Sequence, residues 1–205
     1  TCLNRGCIPT KALLHAGEIL EEMKEAKKLG LSCDNISYDM AAVYKRRDDI
    51  VKKLRGGVEM LLKGNGIDLY RGHGSFVDKN TVCVTSESGE EQISAKYIII
   101  AVGSEVRNPN FPGIELAMDS DDILEKHLDI PQNVAIAGAS VIGVEFAEIM
   151  HALGKNVTII ATRDRLLPKT DKDLCANYDF ATIGDKVKNK LFLQKQLGLQ
   201  PLQSM

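Results

Sequence analysis

Gln132-Asn133-Val134-Ala135-Ile136-Ala137-Gly138-Ala139-Ser140-Val141-Ile142-Gly143-Val144-Glu145 is the stretch that decides the fold. An apolar run ends in glycine, and a helical pattern follows through Phe146, Ile149, Met150 and Leu153. After Gly154, Asn156-Val157-Thr158-Ile159-Ile160 reads as a second strand. This order gives a βαβ unit with a near-match to the dinucleotide fingerprint, whose glycines let backbone approach a pyrophosphate at a helix N-terminus. Gly138, Ser140, Val141, Ile142 and Gly143 are the candidate binding residues. Ser140 stands at the second glycine position, where a side chain crowds that approach without abolishing it. Ala161 stands where an acid would meet the ribose hydroxyls, and Arg163 follows it, so NAD is expected first and NADP is the alternative.

The other informative stretch is Thr1-Cys2-Leu3-Asn4-Arg5-Gly6-Cys7-Ile8-Pro9-Thr10-Lys11. Pro9 suits the first turn of a helix, and Leu13, Ala16, Leu20, Met23 and Ala26 continue as one apolar stripe toward Gly30. Cys7 therefore falls near a positive helix end, which favours a thiolate. From spacing alone, Cys2 and Cys7 read as a redox-active pair, a loop staple or two unlinked cysteines.

The segment Cys2 to His15 resembles the active-site segment of the flavoprotein disulfide reductases, and its detail is most similar to the branch acting on dihydrolipoamide. The pattern is C-x4-C, a hydrophobic residue, Pro, Ser or Thr, then Lys. Glutathione reductases usually carry valines around these cysteines and a second lysine where Thr10 stands. The resemblance implies an α/β fold: partial FAD- and NAD(P)-binding Rossmann-like domains with an antiparallel β-meander insertion. It implies a partial FAD-binding domain over 1–118, a partial NAD(P)-binding βαβ over 119–175 and a divergent tail over 176–205. It further implies a Cys2–Cys7 disulfide as the redox centre, with Cys2 the interchange thiol and Cys7 the thiol that contacts FAD. Lys11 and Glu145 match the family's pair at the reactive end of the flavin; read without the family, Glu145 is a glutamate on the first turn of a helix. Tyr97-Ile98-Ile99-Ile100-Ala101-Val102-Gly103-Ser104 resembles the strand end that passes close to the flavin nucleotide, with Ala101 and Gly103 at it and Val102 where threonine is usual.

By the same resemblance, electrons pass from dihydrolipoamide through Cys2–Cys7 and FAD to NAD. The expected partner is a lipoyl-bearing subunit of a 2-oxo acid dehydrogenase complex or glycine cleavage system, and the expected assembly is a homodimer. Two alternatives stand beside this: a non-catalytic dithiol fragment, and a glutathione- or mercuric-reductase-type enzyme using NADP. In the family, a strand, a Gly-rich turn and a helix holding the ADP part of FAD precede the cysteines. The chain starts on them at Thr1, so it is expected to be an internal piece of a longer protein.

Between these stretches the pattern is simpler. Ser37-Tyr38-Asp39 opens a second helix to about Leu62, with Arg46, Arg47, Asp48, Asp49, Lys52 and Lys53 on its solvated face and a weak point at Gly56-Gly57. Ile67–Gly72 and Gly74–Val77 alternate as strands, and Thr81–Thr85 and Glu91–Ser94 complete a meander. Tyr97 to Ser104 reads as a strand buried on both faces. Asp164 to Pro168 resembles the family's turn before its next helix. Phe180 to Asp185 is faintly like a later FAD-contacting turn, through coincidence or an internal deletion, and Leu191–Met205, rich in Leu and Gln, is expected to be a non-native or frayed helical tail.

The 205 residues are 44% hydrophobic with net charge −2, which gives no electrostatic case for nucleic acid or an anionic membrane. No apolar run approaches the roughly 20 residues of a membrane helix. Five cysteines, of which Cys33, Cys83 and Cys175 are scattered, argue against a secreted disulfide scaffold and for a cytoplasmic setting. The histidines His15, His73, His127 and His151 have no metal-ligand spacing, and no metal is expected.

Overall fold

The computed structural model describes residues 1–107, 112–162 and 166–167. Arg163, the turn from Asp164 to Pro168 apart from Leu166 and Leu167, Cys175, the 180–185 stretch and the tail lie outside the described residues.

The chain is α/β. A single helical turn, α1 (Cys2–Arg5), is separated by Gly6 from the long α2 (Cys7–Glu25). Gly30, in the left-handed conformation at φ 76°, closes the 3₁₀ turn that ends α2. Asp39 caps α3 (Met40–Gly64) by accepting from the amides of Ala41 and Ala42 at 2.9 and 3.4 Å. A three-stranded antiparallel sheet follows in the order β1 (His73–Asp78), β2 (Thr81–Ser86), β3 (Gly89–Ser94). Then come α4 (Ser120–Glu125), β4 (Asn133–Ala137), α5 (Val141–Ala152) and β5 (Asn156–Ile160). β4 and β5 pair in parallel, Asn133 opposite Asn156 through Ala137 opposite Ile160, with α5 as the crossover.

One core joins these parts. Leu13, Leu14 and Leu20 of α2 and Tyr44 of α3 pack with Leu124, Ile130, Phe146, Ile149 and Met150, so buried apolar surface runs continuously across residue 118. α2 packs tightly on α5 at Gly17, where a Cβ would lie 2.9 Å from the Ala152 Cβ. The last carbonyls of α5 are satisfied from the same side: Lys24 Nζ donates to Ala152 O at 2.8 Å and Tyr38 Oη to Leu153 O at 2.9 Å. Gly17→Leu is therefore expected to cost about 2–3 kcal/mol, because a larger side chain wedges the two helices apart. Thermal unfolding of the variant checks this.

Two expectations change. Tyr97–Ser104 and Ile67–Gly72 form no strand, and Tyr97 and Val102 are 79% and 91% exposed. A strand needs a hydrogen-bonded partner, and among the described residues neither segment is paired in a sheet. The period-2 and apolar-run signals report side-chain type and cannot supply the partner. Arg47, placed by its sequence position on a solvated face, is 1% exposed. It stacks on the Tyr44 ring at 4.8 Å, donates from Nη1 to Ile123 O at 3.2 Å and from Nε to Asp48 Oδ1 at 2.9 Å. Its Nη2 is in ion-pair contact with Asp48 at 2.7 Å but outside hydrogen-bond geometry. Asp48 also bonds His127 Nε2 at 2.8 Å, and the His127 ring stacks on Tyr44. Partial burial works to raise the Asp48 carboxyl; hydrogen bonds from His127 and Arg47 outweigh it and hold the group below the usual carboxylate range. α3 continues as helix through Gly56-Gly57.

Candidate functional site

The N-termini of α2 and α5 bring the sequence-derived residues together. Gly6 is the joint that folds α1 back onto the start of α2: a Cβ there would sit 3.1 Å from the Cys2 Cα and 3.4 Å from Thr1 O. Thr10 fixes the other side, donating to Gly6 O through its amide at 3.1 Å and its hydroxyl at 2.7 Å. Cys2 and Cys7 are both exposed free thiols, and Cys7 is the first residue of α2.

Their proximity changes the acidity expected from the helix end alone. A hydrogen bond with Cys2, then desolvation and the charge of Cys2, push the Cys7 thiol up, while its backbone hydrogen bond and Lys11 pull it down by less. Thiolate at Cys7 therefore forms at higher pH than for an ordinary cysteine. Cys2→Ala removes the largest cause and is expected to move Cys7 alkylation by iodoacetamide to lower pH; an unchanged pH profile would contradict this.

The Lys11–Glu145 ion pair ties the cysteine helix to α5. α5 begins at a tight turn. Gly138 has φ 127°, a conformation L side chains rarely adopt, and its amide donates to Ile160 O at 2.9 Å. A Cβ on Gly143 would lie 2.1 Å from Gly138 O, so the third glycine of the fingerprint packs the helix onto the strand end. Ser140 is the exposed N-cap residue and its side chain makes no capping bond; Val141 and Ile142 are exposed beside it. These features fit a pyrophosphate against the open end of the helix. Ala161, just past β5, is exposed and offers no acid to a ribose.

Gly103 has φ 83°, and a Cβ there would lie 2.5 Å from Thr1 Oγ1, which also accepts from the Ser104 amide at 3.0 Å. The 101–104 turn therefore packs beside the cysteine segment even though the run leading into it is unpaired. Gly103 thus lies against Thr1, next to Cys2, Cys7 shares the start of α2 with Lys11, and the Lys11–Glu145 pair links them to the Gly138–Gly143 turn through α5. Sequence reasoning passed over Thr1, Asn4 and Arg5; their position between and beside the cysteines was the available signal. Among the described residues, no cluster of three or more His, Cys, Asp or Glu could hold a metal ion, and no helix is long and apolar enough to cross a membrane.

The family model described as pyridine nucleotide-disulphide oxidoreductase matches residues 1–191. The chain is 36% identical over 183 residues to a dihydrolipoyl dehydrogenase of Acholeplasma laidlawii, covering 86% of this chain and 53% of that protein. It is 39% identical over 178 residues to a dihydrolipoyl dehydrogenase of Bacillus subtilis, covering 85% and 39%. For one from Chlamydia muridarum the identity is 37% over 179 residues, covering 85% and 38%. The chain thus spans about half or less of the length of these curated relatives.

Proposed function

The chain belongs to the pyridine nucleotide-disulphide oxidoreductase family, and we propose that it is the cysteine-bearing part of a dihydrolipoyl dehydrogenase. The observation that carries this is the Lys11–Glu145 pair, which holds the dithiol helix against the helix of the glycine turn. The two halves such an electron relay needs are thereby neighbours. Cys2, Cys7, Lys11 and Glu145 form the reactive group in this reading. Lys11, Ala101, Gly103 and Glu145 would face FAD, and Gly138, Ser140, Val141, Ile142 and Gly143 would hold NAD. The division is then a partial FAD-binding region over 1–118, a partial Rossmann-like NAD(P)-binding region over 119–175, and a tail over 176–205.

The chain's own chemistry is thiol–disulfide exchange. A thiolate of dihydrolipoamide attacks Cys2 Sγ of the oxidised pair, the Cys2–Cys7 bond breaks, and Cys7 leaves as thiolate. The second substrate thiol then attacks the mixed disulfide, releasing cyclic lipoamide and leaving two reduced cysteines. Two electrons and two protons have moved from substrate to protein. FAD, when bound against Lys11, Ala101, Gly103 and Glu145, would supply two-electron redox chemistry between the pair and the nicotinamide. Lys11 and Glu145 orient the α2 end against α5, and Ser140 and the amides of Val141 to Gly143 offer donors to pyrophosphate.

The partner in this reading is a lipoyl-bearing subunit of a 2-oxo acid dehydrogenase complex or glycine cleavage system. The assembly would be a homodimer in the cytoplasm. The experiment, on the full-length protein that contains this chain, is NAD reduction by dihydrolipoamide. NADH formation supports the assignment, whereas NADPH-dependent reduction of glutathione disulfide in its place would overturn it.

A further inference from the structure

We propose that Arg5 is a positioning residue for the cysteine pair, held by the carboxylates of α4. This rests on the reading of Cys2–Cys7 as a redox pair. α1 is four residues long, and isolated helices need roughly 12–15 residues to be even marginal in water. Its shape is therefore set by ties to other elements, and two of the residues that make them, Asn4 and Arg5, stand between the cysteines. Asn4 Oδ1 accepts from Arg55 Nε and Nη2 of α3 at 3.2 and 3.1 Å. Arg5 Nη1 lies 3.4 Å from Asp121 Oδ2 and 3.9 Å from Glu125 Oε1 of α4.

α4 is a firm support for so short a helix. A capping box fixes its start: Asp119 accepts from the amides of Asp121 and Asp122 at 2.9 and 3.0 Å, and Asp122 accepts from the Asp119 amide at 3.2 Å. Buried Leu124 anchors it to the core, and buried Arg47 donates to Ile123 O. Arg5 carries this fixed position to the turn bearing Cys2. Without it α1 keeps only the Asn4–Arg55 bonds and the Thr1–Ser104 bond at its start, and Cys2 samples more positions relative to Cys7, lowering the effective concentration of one thiol at the other.

The test is closure of the pair in the full 205-residue chain with a glutathione buffer. Oxidised glutathione accepts two electrons and both thiol protons, giving two reduced glutathiones and one Cys2–Cys7 disulfide, identified by peptide mass spectrometry. Arg5 is 42% exposed, so its ion pairs are screened. Arg5→Gln is expected to lower the closure constant about three- to fivefold, the reach of an exposed pair. Asp121→Asn should lower it in the same direction, and Arg5→Lys should keep most of it. The charge-swapped double variant Arg5→Asp with Asp121→Arg should recover part of the loss, and molar salt should bring the unaltered chain toward Arg5→Gln. Equal closure by Arg5→Gln and the unaltered chain, or a loss that neither salt nor the swap touches, overturns the positioning role alone. If the unaltered chain forms no Cys2–Cys7 disulfide, the redox reading falls and the positioning role with it.

Discussion

Cys2→Ser and Cys7→Ser are each expected to lower dihydrolipoamide-dependent reduction by about three orders of magnitude or more, the scale on which losing a nucleophile acts. Neither sulfur can substitute for the other. Exchange needs one thiol to form the mixed disulfide and a second to resolve it, and Cys33 and Cys83 lie elsewhere, the latter buried in β2. The two variants should differ in the trapped species: Cys7→Ser retains the attacking thiol at Cys2 and should accumulate a mixed disulfide with a small disulfide probe. Cys83→Ser is the matching control and should leave exchange intact. Mass spectrometry of the trapped adducts and the exchange rate together read this out.

Gly143→Ala is expected to destabilise the chain by about 3 kcal/mol or more, through overpacking against backbone. An added Cβ would lie 2.1 Å from the Gly138 carbonyl oxygen, and no side-chain rotation relieves a backbone clash. The turn between β4 and α5 must open, which moves Glu145 away from Lys11 as well. At about 2–4 °C per kcal/mol for a chain of this size, the unfolding midpoint should fall by roughly 6–12 °C. Gly56→Ala provides the contrast. A Cβ there meets nothing within 4 Å, and alanine is about 1 kcal/mol better than glycine inside a helix, so that variant should be more stable. Equal melting of the two variants would remove the packing explanation of the fingerprint's last glycine.

What the sequence made legible, and what it hid, follows from the range of the interactions. The α2 stripe, the Asp39 start of α3 and the strand–glycine–helix–strand order are local patterns, and each falls within a residue or two of its expected place. The Lys11–Glu145 pair spans 134 positions and was legible only through the family resemblance. Arg47 was misplaced because a cation in a charged run looks solvated until Tyr44, Asp48 and Ile123 are seen around it. The runs at 67–72 and 97–104 were misread for a related reason: apolar composition asks for strand neighbours but does not say where they are. The acidity of Cys7 was misjudged because helix dipole and Lys11 can be read from order along the chain, while the competing Cys2 thiol depends on how Gly6 folds α1 back.

The central claim is that Cys2 and Cys7 form one exchangeable redox pair, and the most direct measurement is a thiol count by mass spectrometry before and after treatment with oxidised lipoamide. The account predicts loss of two thiols, a single Cys2–Cys7 linkage, and its full reversal by dihydrolipoamide, with Cys33 and Cys83 unchanged throughout. A linkage from Cys2 or Cys7 to any other cysteine, or two thiols that persist through the treatment, would contradict it.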